Sequence, residues 1–461
     1  MKTAVQQQSI PAVESSSSSS KNKNLTLWPL VAATFFMVSG GTYGTEDTVH
    51  GAGYMGAILI LLITPVLWSL PTAFMIGELA SALPEEGGFY VWVRRALGPC
   101  WGFQEAWLSL VASVFDMAIY PALFVAYLTR LFPYFGIGHR GALVGLAIVT
   151  VCALLNIAGV RLVALTSLWL FVLLTMPFAV LIIVALWKHG MFSGQTVESP
   201  VHVDMMMGIL AAMWNYMGWD NASTIAAEVS NPQRTYSRAM LITVGIVALS
   251  YILPVAAMVV TGIQPNAFVT GSWADLAAQV VGPWLRVVLV AGGMLSAFGM
   301  FNSLVMSYSR LPLAMARDGM LPRVFAEVHP KSKAPWVAIL SLAVCWALCL
   351  GLNFERLVTI DILIYGLSLL LEFAALAALR LREPDLPRPF RVAGGTLGAF
   401  ALGVPPMLLL GFSVVRSESE HIAGMNALAF GCLIIAAGFV VYFLRSMMVP
   451  SDKSTEPEAF S

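Results

Sequence analysis

Apolar residues run through this chain in blocks of about 20, the length of α-helix that crosses the hydrocarbon core of a bilayer. Twelve such blocks, separated by polar turns, fall at about 27–43, 54–82, 101–131, 141–157, 162–187, 206–227, 240–261, 283–311, 334–352, 357–379, 397–415 and 425–444. The pattern predicts an all-α polytopic membrane protein with 12 transmembrane helices, embedded in a lipid bilayer as one domain over 25–449. The polar stretches 1–24, with a serine run from Ser15 to Ser20, and 450–461 read as disordered tails.

An even number of spans puts both tails on one side, and basic residues tell which side, because cytoplasmic loops retain Lys and Arg. With the tails inside, only Arg130, Arg140, Lys188, Arg286, Arg356 and Arg416 face out, and the other 19 of the 25 Lys and Arg residues face the cytosol. Cytoplasmic N- and C-termini are therefore expected, in the plasma (cell inner) membrane.

Composition narrows the function classes. The chain is 58% hydrophobic and 11% charged, against about 25% charged in a soluble domain. Acidic and basic residues balance, so there is no field to attract nucleic acid. The five cysteines form no CxxC pair, and the six histidines make no metal-binding motif. GxSxG and P-loop motifs are missing too, so intramembrane hydrolysis and ATP-driven pumping lack their chemistry. No catalytic residue, metal or cofactor is expected.

Two blocks are poor helices in the middle. The first stops at Ser39-Gly40-Gly41-Thr42-Tyr43-Gly44 and then meets Glu46 and Asp47; the sixth is interrupted at Trp214-Asn215-Tyr216-Met217-Gly218-Trp219-Asp220. Non-helical backbone at membrane depth is tolerated where it lines protein or a wet cavity, since its N–H and C=O groups otherwise lack partners. The breaks fall at the first helix of each of two five-helix sets, about 27–187 and 206–380, the mark of an inverted repeat with discontinuous helices facing each other at the midplane; helices 11 and 12, about 397–444, then follow. The alternative is that Gly40 and Gly41 simply let helices pack closely.

Acids inside the apolar blocks are the next signal, because an intramembrane carboxylate costs about 2.5–3.5 kcal/mol on insertion scales and usually serves a cavity, a partner or a proton path. Asp116 is the deepest isolated one, with Tyr120 one turn along the same face. Glu46 and Asp220 sit at the two breaks, where a cationic ligand would meet negative charge, although a vestibule position for Glu46 and a helix-capping role for Asp220 are open. Asp361 and Glu372 are weaker candidates. Glu78, Glu85 and Glu86 flank the turn after the second span and read as structural. Trp214, Tyr216, Trp219, Phe298 and Phe301 offer aromatic walls for an ammonium group, or else ordinary packing.

Over essentially its whole apolar length the sequence resembles the amino acid–polyamine–organocation superfamily of secondary transporters. The resemblance rests on the SGG stretch and on GELASALPEEGGFYVWVRRALGP, NIAGVRLVALTS, AAEVSNPQRTYSRAM and SRLPLAMARDGMLPRVFAEVHPKSKAPW; SGGTYGTEDTV, LGPCWGFQEAW, FDMAIYPALF and LLLEFAALAALRLREPDLPRPF point to the branch with polyamine uptake transporters. It implies a leucine-transporter-type 5+5 fold with alternating access. It also implies that Ser39, Gly40, Gly41 and Thr42 on one side, and Trp214, Asn215, Tyr216, Gly218 and Trp219 on the other, meet a substrate. Members of the superfamily often carry a coupling lysine in span 5, and 162–187 has no lysine. Coupling to a cation, expected to be a proton, then falls to carboxylates, first Asp116. The expected activity is a permease for an amino acid or a polyamine, with positively charged substrates preferred. An exchanger without ion coupling and a membrane sensor on the same fold are the alternatives.

Overall fold

The structure is a computed structural model that describes residues 26–85, 87–159, 162–190, 204–352, 354–416, 421–422 and 425–448. The two expected tails lie outside the described residues, as does part of the NIAGVRLVALTS stretch. Fifteen α-helices follow in order: α1 Leu27–Val38, α2 Glu46–Thr64, α3 Leu70–Ala82, α4 Phe89–Leu97, α5 Pro99–Leu131, α6 Arg140–Ala158, α7 Leu162–His189, α8 Met205–Asn215, α9 Pro232–Val259, α10 Trp273–Val280, α11 Pro283–Arg317, α12 Trp336–Ala347, α13 Phe354–Arg382, α14 Gly395–Arg416 and α15 Ala427–Met448. A ribbon pairing His421–Ile422 with Met425–Asn426 is the sole departure from helix and turn geometry that forms a sheet among the described residues.

Among those residues nine helices are long and apolar enough to cross a membrane, and α1 and α12 are shorter apolar helices. Their packing follows from which faces must be hidden. Helix α5 lies at the centre, against α11 on one side and α13 on the other, while α2 packs on α8, α3 on α9 and α1 on α9. Peripheral helices keep large apolar side chains on the outside: Leu143 and Leu154 on α6, Ile183 and Trp187 on α7, and Leu408 on α14 are all exposed. A surface of that kind is stable against lipid, where leaving Leu and Ile uncovered costs nothing.

Local sequence sets where helices start, turn and stop. Prolines 99, 232 and 283 each open a helix, where a missing N–H is harmless. Within α2, Gly53 has φ 66° and ψ 177°, so the element is two helices joined at a kink, the short piece before Gly53 and the long one after it. That joint coincides with the polar turn expected between the first two blocks.

One charged cluster fastens the bundle. Glu78 on α3 and Arg380 on α13 are both buried and ion-paired, with Arg380 Nε donating to Glu78 Oε1 at 2.8 Å. Arg388 Nε adds a second cation 3.3 Å from Glu78 Oε1, and the Val392 amide donates to Glu78 Oε2 at 2.8 Å. Removing Glu78 leaves Arg380 buried without its counter-charge. Glu78→Ala is expected to destabilise the protein by about 3–5 kcal/mol, read as a lower thermal midpoint in detergent, with Glu78→Ala/Arg380→Leu recovering part of the loss.

Candidate functional site

Both expected breaks are present, and they touch. Helix α1 ends at Val38, Ser39 is extended (φ −143°, ψ 137°), Gly41 and Gly44 take φ of 87° and 91°, and α2 begins at Glu46. Helix α8 ends at Asn215, Gly218 takes φ 85°, and a 3-10 turn, Asp220–Glu228, follows. A Cβ on Gly218 would lie 2.6 Å from the Met37 carbonyl oxygen, so only glycine allows this approach. The Asn215 side-chain amide crosses from one break to the other, donating to the Gly44 carbonyl at 2.9 Å.

Side chains from neighbouring helices satisfy the interrupted backbone. Ser296 on α11 donates to the Gly40 carbonyl at 2.6 Å, Tyr251 on α9 to the Asn215 carbonyl at 2.7 Å, and the Gly218 amide donates to the Tyr365 hydroxyl on α13 at 3.2 Å. Each bond replaces an intrahelical one that the break removed.

Between the breaks lies a pocket. Met37, Val38, Gly40 and Tyr43 come from the first break, and Trp214, Asn215, Met217, Gly218 and Asn221 from the second. Asp116 and Tyr120 on α5, Met300 and Tyr308 on α11, and Asp361 and Tyr365 on α13 close it. The cavity is about 20 Å³, room for about one water molecule. It has no basic side chain in its wall.

The carboxylates are held differently. Asp116 accepts from Tyr120 at 2.9 Å through one oxygen and from Tyr308 at 3.1 Å through the other. Asp361 is buried, and its Oδ2 has no hydrogen-bond partner. Asp220 stands behind the wall and accepts from the Tyr365 hydroxyl.

Several expected residues lie elsewhere. Glu46 does not face the pocket: it accepts from the Gly44 amide at 2.8 Å, the Gly271 amide at 3.0 Å and the Tyr127 hydroxyl at 2.5 Å. Those three donors fasten the end of the first break to α5 and to the turn before α10, and they occupy the charge that was expected to read a substrate. Ser39 and Thr42 turn away as well, Ser39 Oγ accepting from the Gly41 amide at 3.1 Å and Thr42 donating to the Ser250 carbonyl at 2.8 Å. Tyr216 and Trp219 are buried behind the wall, their polar atoms spent on the Leu61 and Tyr216 carbonyls. Phe301 packs edge-on against Trp346, and Phe298 is half-buried outside the pocket.

Sequence reasoning undervalued Asp361 because its block was drawn from 357; α13 starts at Phe354 and places it two turns inside. Tyr308 and Met300 were missed altogether. The available signal was the spacing Ser296, Met300, Ser303, Ser307, a small and polar stripe at helical period along an apolar helix.

A broken-helix membrane bundle enclosing a small acidic and aromatic pocket defines a solute-carrier class of protein. A family model described as Amino acid permease matches residues 31–456, and the chain belongs to that family. Polyamine transporter PUT1 of Oryza sativa subsp. japonica is 35% identical over 419 residues, spanning 90% of this chain and 78% of that protein. Polyamine transporter RMV1 of Arabidopsis thaliana is 34% identical, over 87% of this chain and 82% of its own. Serine/threonine exchanger SteT of Bacillus subtilis (strain 168) is 27% identical, over 91% and 94%.

The adjacent glycines 40 and 41 of the first break are constrained for different reasons. A Cβ at Gly40 would overlap Ser296 Oγ and come within 2.7 Å of Met300 Sδ, whereas at Gly41 the nearest atom is 3.9 Å away and the positive φ is the obstacle. Gly40→Val is expected to abolish uptake at normal membrane abundance. Gly41→Ala should chiefly lower stability, by about 1–2 kcal/mol for the left-handed backbone, with transport per folded molecule retained; thermal midpoints alongside uptake check both.

Proposed function

We propose that this chain is a secondary active permease for polyamines or amino acids, taking its solute between the two helix breaks and coupling its movement to a proton. The carrying observation is the pocket wall: two acids, Asp116 and Asp361, four tyrosines and a tryptophan, and no cation. A carboxylate kept from water needs a proton or a positive partner, and a substrate ammonium supplies one, with the rings as cation–π faces. Asp361 Oδ2 is the atom with an acceptor position to spare. The preference for positively charged substrates thus rests on Asp361 and Asp116 instead of Glu46 and Asp220. The family and the polyamine transporters among its relatives support the same solute class.

The remaining architecture is proposed on the same footing. The nine long helices, together with α1, α8 and α12, make 12 spans in a 5+5 repeat plus two, with helices 1 and 6 discontinuous. Domain 25–449 is then the transporter, and 1–24 and 450–461 are its cytosolic tails. A cavity of about 20 Å³ cannot hold a diamine, so the solute enters by separation of the breaks from α5, α11 and α13, as alternating access requires. The membrane is the plasma (cell inner) membrane, with both termini in the cytosol.

A second reading, exchange without ion coupling, is favoured by the relative that is a serine/threonine exchanger. Reconstituted protein decides between them. Purified permease in liposomes is expected to accumulate putrescine, spermidine or arginine under an inward proton gradient, with leucine and alanine competing weakly. Strong competition by leucine without competition by the amines defeats the charge reading, and exchange with no accumulation favours the second one. Asp361→Asn should raise the half-saturating diamine concentration about tenfold or more, the worth of a charged hydrogen bond of about 1.5–3 kcal/mol. Asp116→Asn should keep exchange and lose gradient-driven accumulation. For orientation, a cysteine at Ser18 should resist membrane-impermeant labelling in sealed cells.

A further inference from the structure

Two buried acids outside the pocket have no role in the reading above. Glu105 on α5 and Glu372 on α13 are both fully buried. Glu372 has neither oxygen hydrogen-bonded, and Glu105 has only Oε1 engaged, by Ser109 at 2.8 Å. Such atoms normally find partners, so each of these carboxyl groups has room to bind a proton.

Their placement repeats that of the pocket acids. From Glu105 to Asp116 is 11 residues, and from Asp361 to Glu372 is again 11. Eleven residues of α-helix return to the same face within about 20° and advance about 16 Å. The polar positions between them on those faces are Ser109 and Ser113 on α5 and Tyr365 and Ser368 on α13, all buried. Helices α5 and α13 pack along each other, Asp116 is within electrostatic reach of Asp361, and Glu105 of Glu372. Two polar stripes thus run side by side, with a pair of acids at each end. Asp220, bonded to Tyr365, lies between the ends and within reach of both Glu105 and Glu372.

Among the described residues no salt bridge engages either carboxylate of this second pair. On α3 Glu78 is consumed by Arg380, on α4 Arg94 pairs with Asp318 and Arg95 with Glu383, and α8 carries no charged side chain. On α14 and α15 the charged residues are Arg416 and Arg445; Arg445 donates to the Gly319 carbonyl, and Arg416 is at the end of α14, far along the chain from the part that packs on α13 near Phe373.

We propose that Glu105 and Glu372 form a proton-binding site distinct from the substrate pocket, which passes its proton along the α5 and α13 stripes to the pocket acids during transport. The site is loaded when one of the two carboxyl groups carries a proton. On unloading, an O–H bond on this pair breaks and, by way of Asp220, one on Asp116 or Asp361 forms, so charge moves about 16 Å within the protein without a metal or a redox partner. The inference rests on the permease reading, and extends it by assigning where the coupling proton waits while the pocket is occupied.

Glu105→Gln and Glu372→Gln keep size and polarity and remove the titration. In liposomes loaded with unlabelled putrescine, both variants are expected to exchange labelled putrescine within about twofold of the unmodified protein. A gradient of about one pH unit drives about tenfold accumulation per coupled proton, and both variants should lose that factor. Accumulation equal to the unmodified protein's in both variants, accumulation driven by sodium instead of protons, or loss of exchange together with accumulation each overturns the proposal. Infrared difference spectra of purified protein between acidic and alkaline buffer need no transport at all. The protonated-carboxyl stretch should weaken in Glu372→Gln, and an unaltered spectrum refutes the site whatever the liposomes do. Failure of the unmodified protein even to exchange putrescine and arginine, with the infrared band still assigned to Glu372, would count against the permease reading and leave the proton site standing.

Discussion

The structure depends on burying two interrupted stretches of backbone against each other. Breaking α1 after Val38 and α8 after Asn215 frees peptide groups inside an apolar bundle, where an unmet N–H or C=O costs several kcal/mol. The protein meets that demand with side chains from other helices: Asn215 to the Gly44 carbonyl, Ser296 to the Gly40 carbonyl, Tyr251 to the Asn215 carbonyl and Tyr365 on the Gly218 amide. The side chains that meet the breaks sit on α8, α9, α11 and α13, so four helices are tied together through them. Few of these bonds are strong singly, at about 0.5–1.5 kcal/mol net.

Charge is distributed to match. Where a carboxylate has a fixed structural duty, its oxygens are saturated: Glu78 by Arg380, Arg388 and the Val392 amide, Glu46 by two amides and Tyr127. Asp361, Glu105 and Glu372 are the contrast, buried with oxygens to spare. A fully bonded acid holds a fold in place, while an under-bonded one in a low-dielectric site is sensitive to whatever proton or cation arrives. Asp116 stands between, its two tyrosine hydroxyls fixing its position in the wall.

The sequence by itself determined that this is a helical membrane protein, where its chain is interrupted and which acids lie within apolar blocks. Those are local properties: twenty apolar residues, Gly-Gly-Thr-Tyr-Gly and a lone Asp each carry their meaning within a few turns of helix. Motifs along most of the length also sufficed to place the chain in its family. What a helix faces is a different matter. Glu46 and Asp361 are both buried acids, yet one is spent on amides and a tyrosine while the other opens on the pocket. For Tyr308 and Met300 the local sign was a spacing of serines along their helix, which does not say that they reach the breaks. Those outcomes are fixed by the rotation of each helix about its axis and by partners more than a hundred residues away in the chain, such as Tyr308 with Asp116. Only the packed tertiary structure decides them, because a helix reads the same along its length whichever face its neighbours leave exposed.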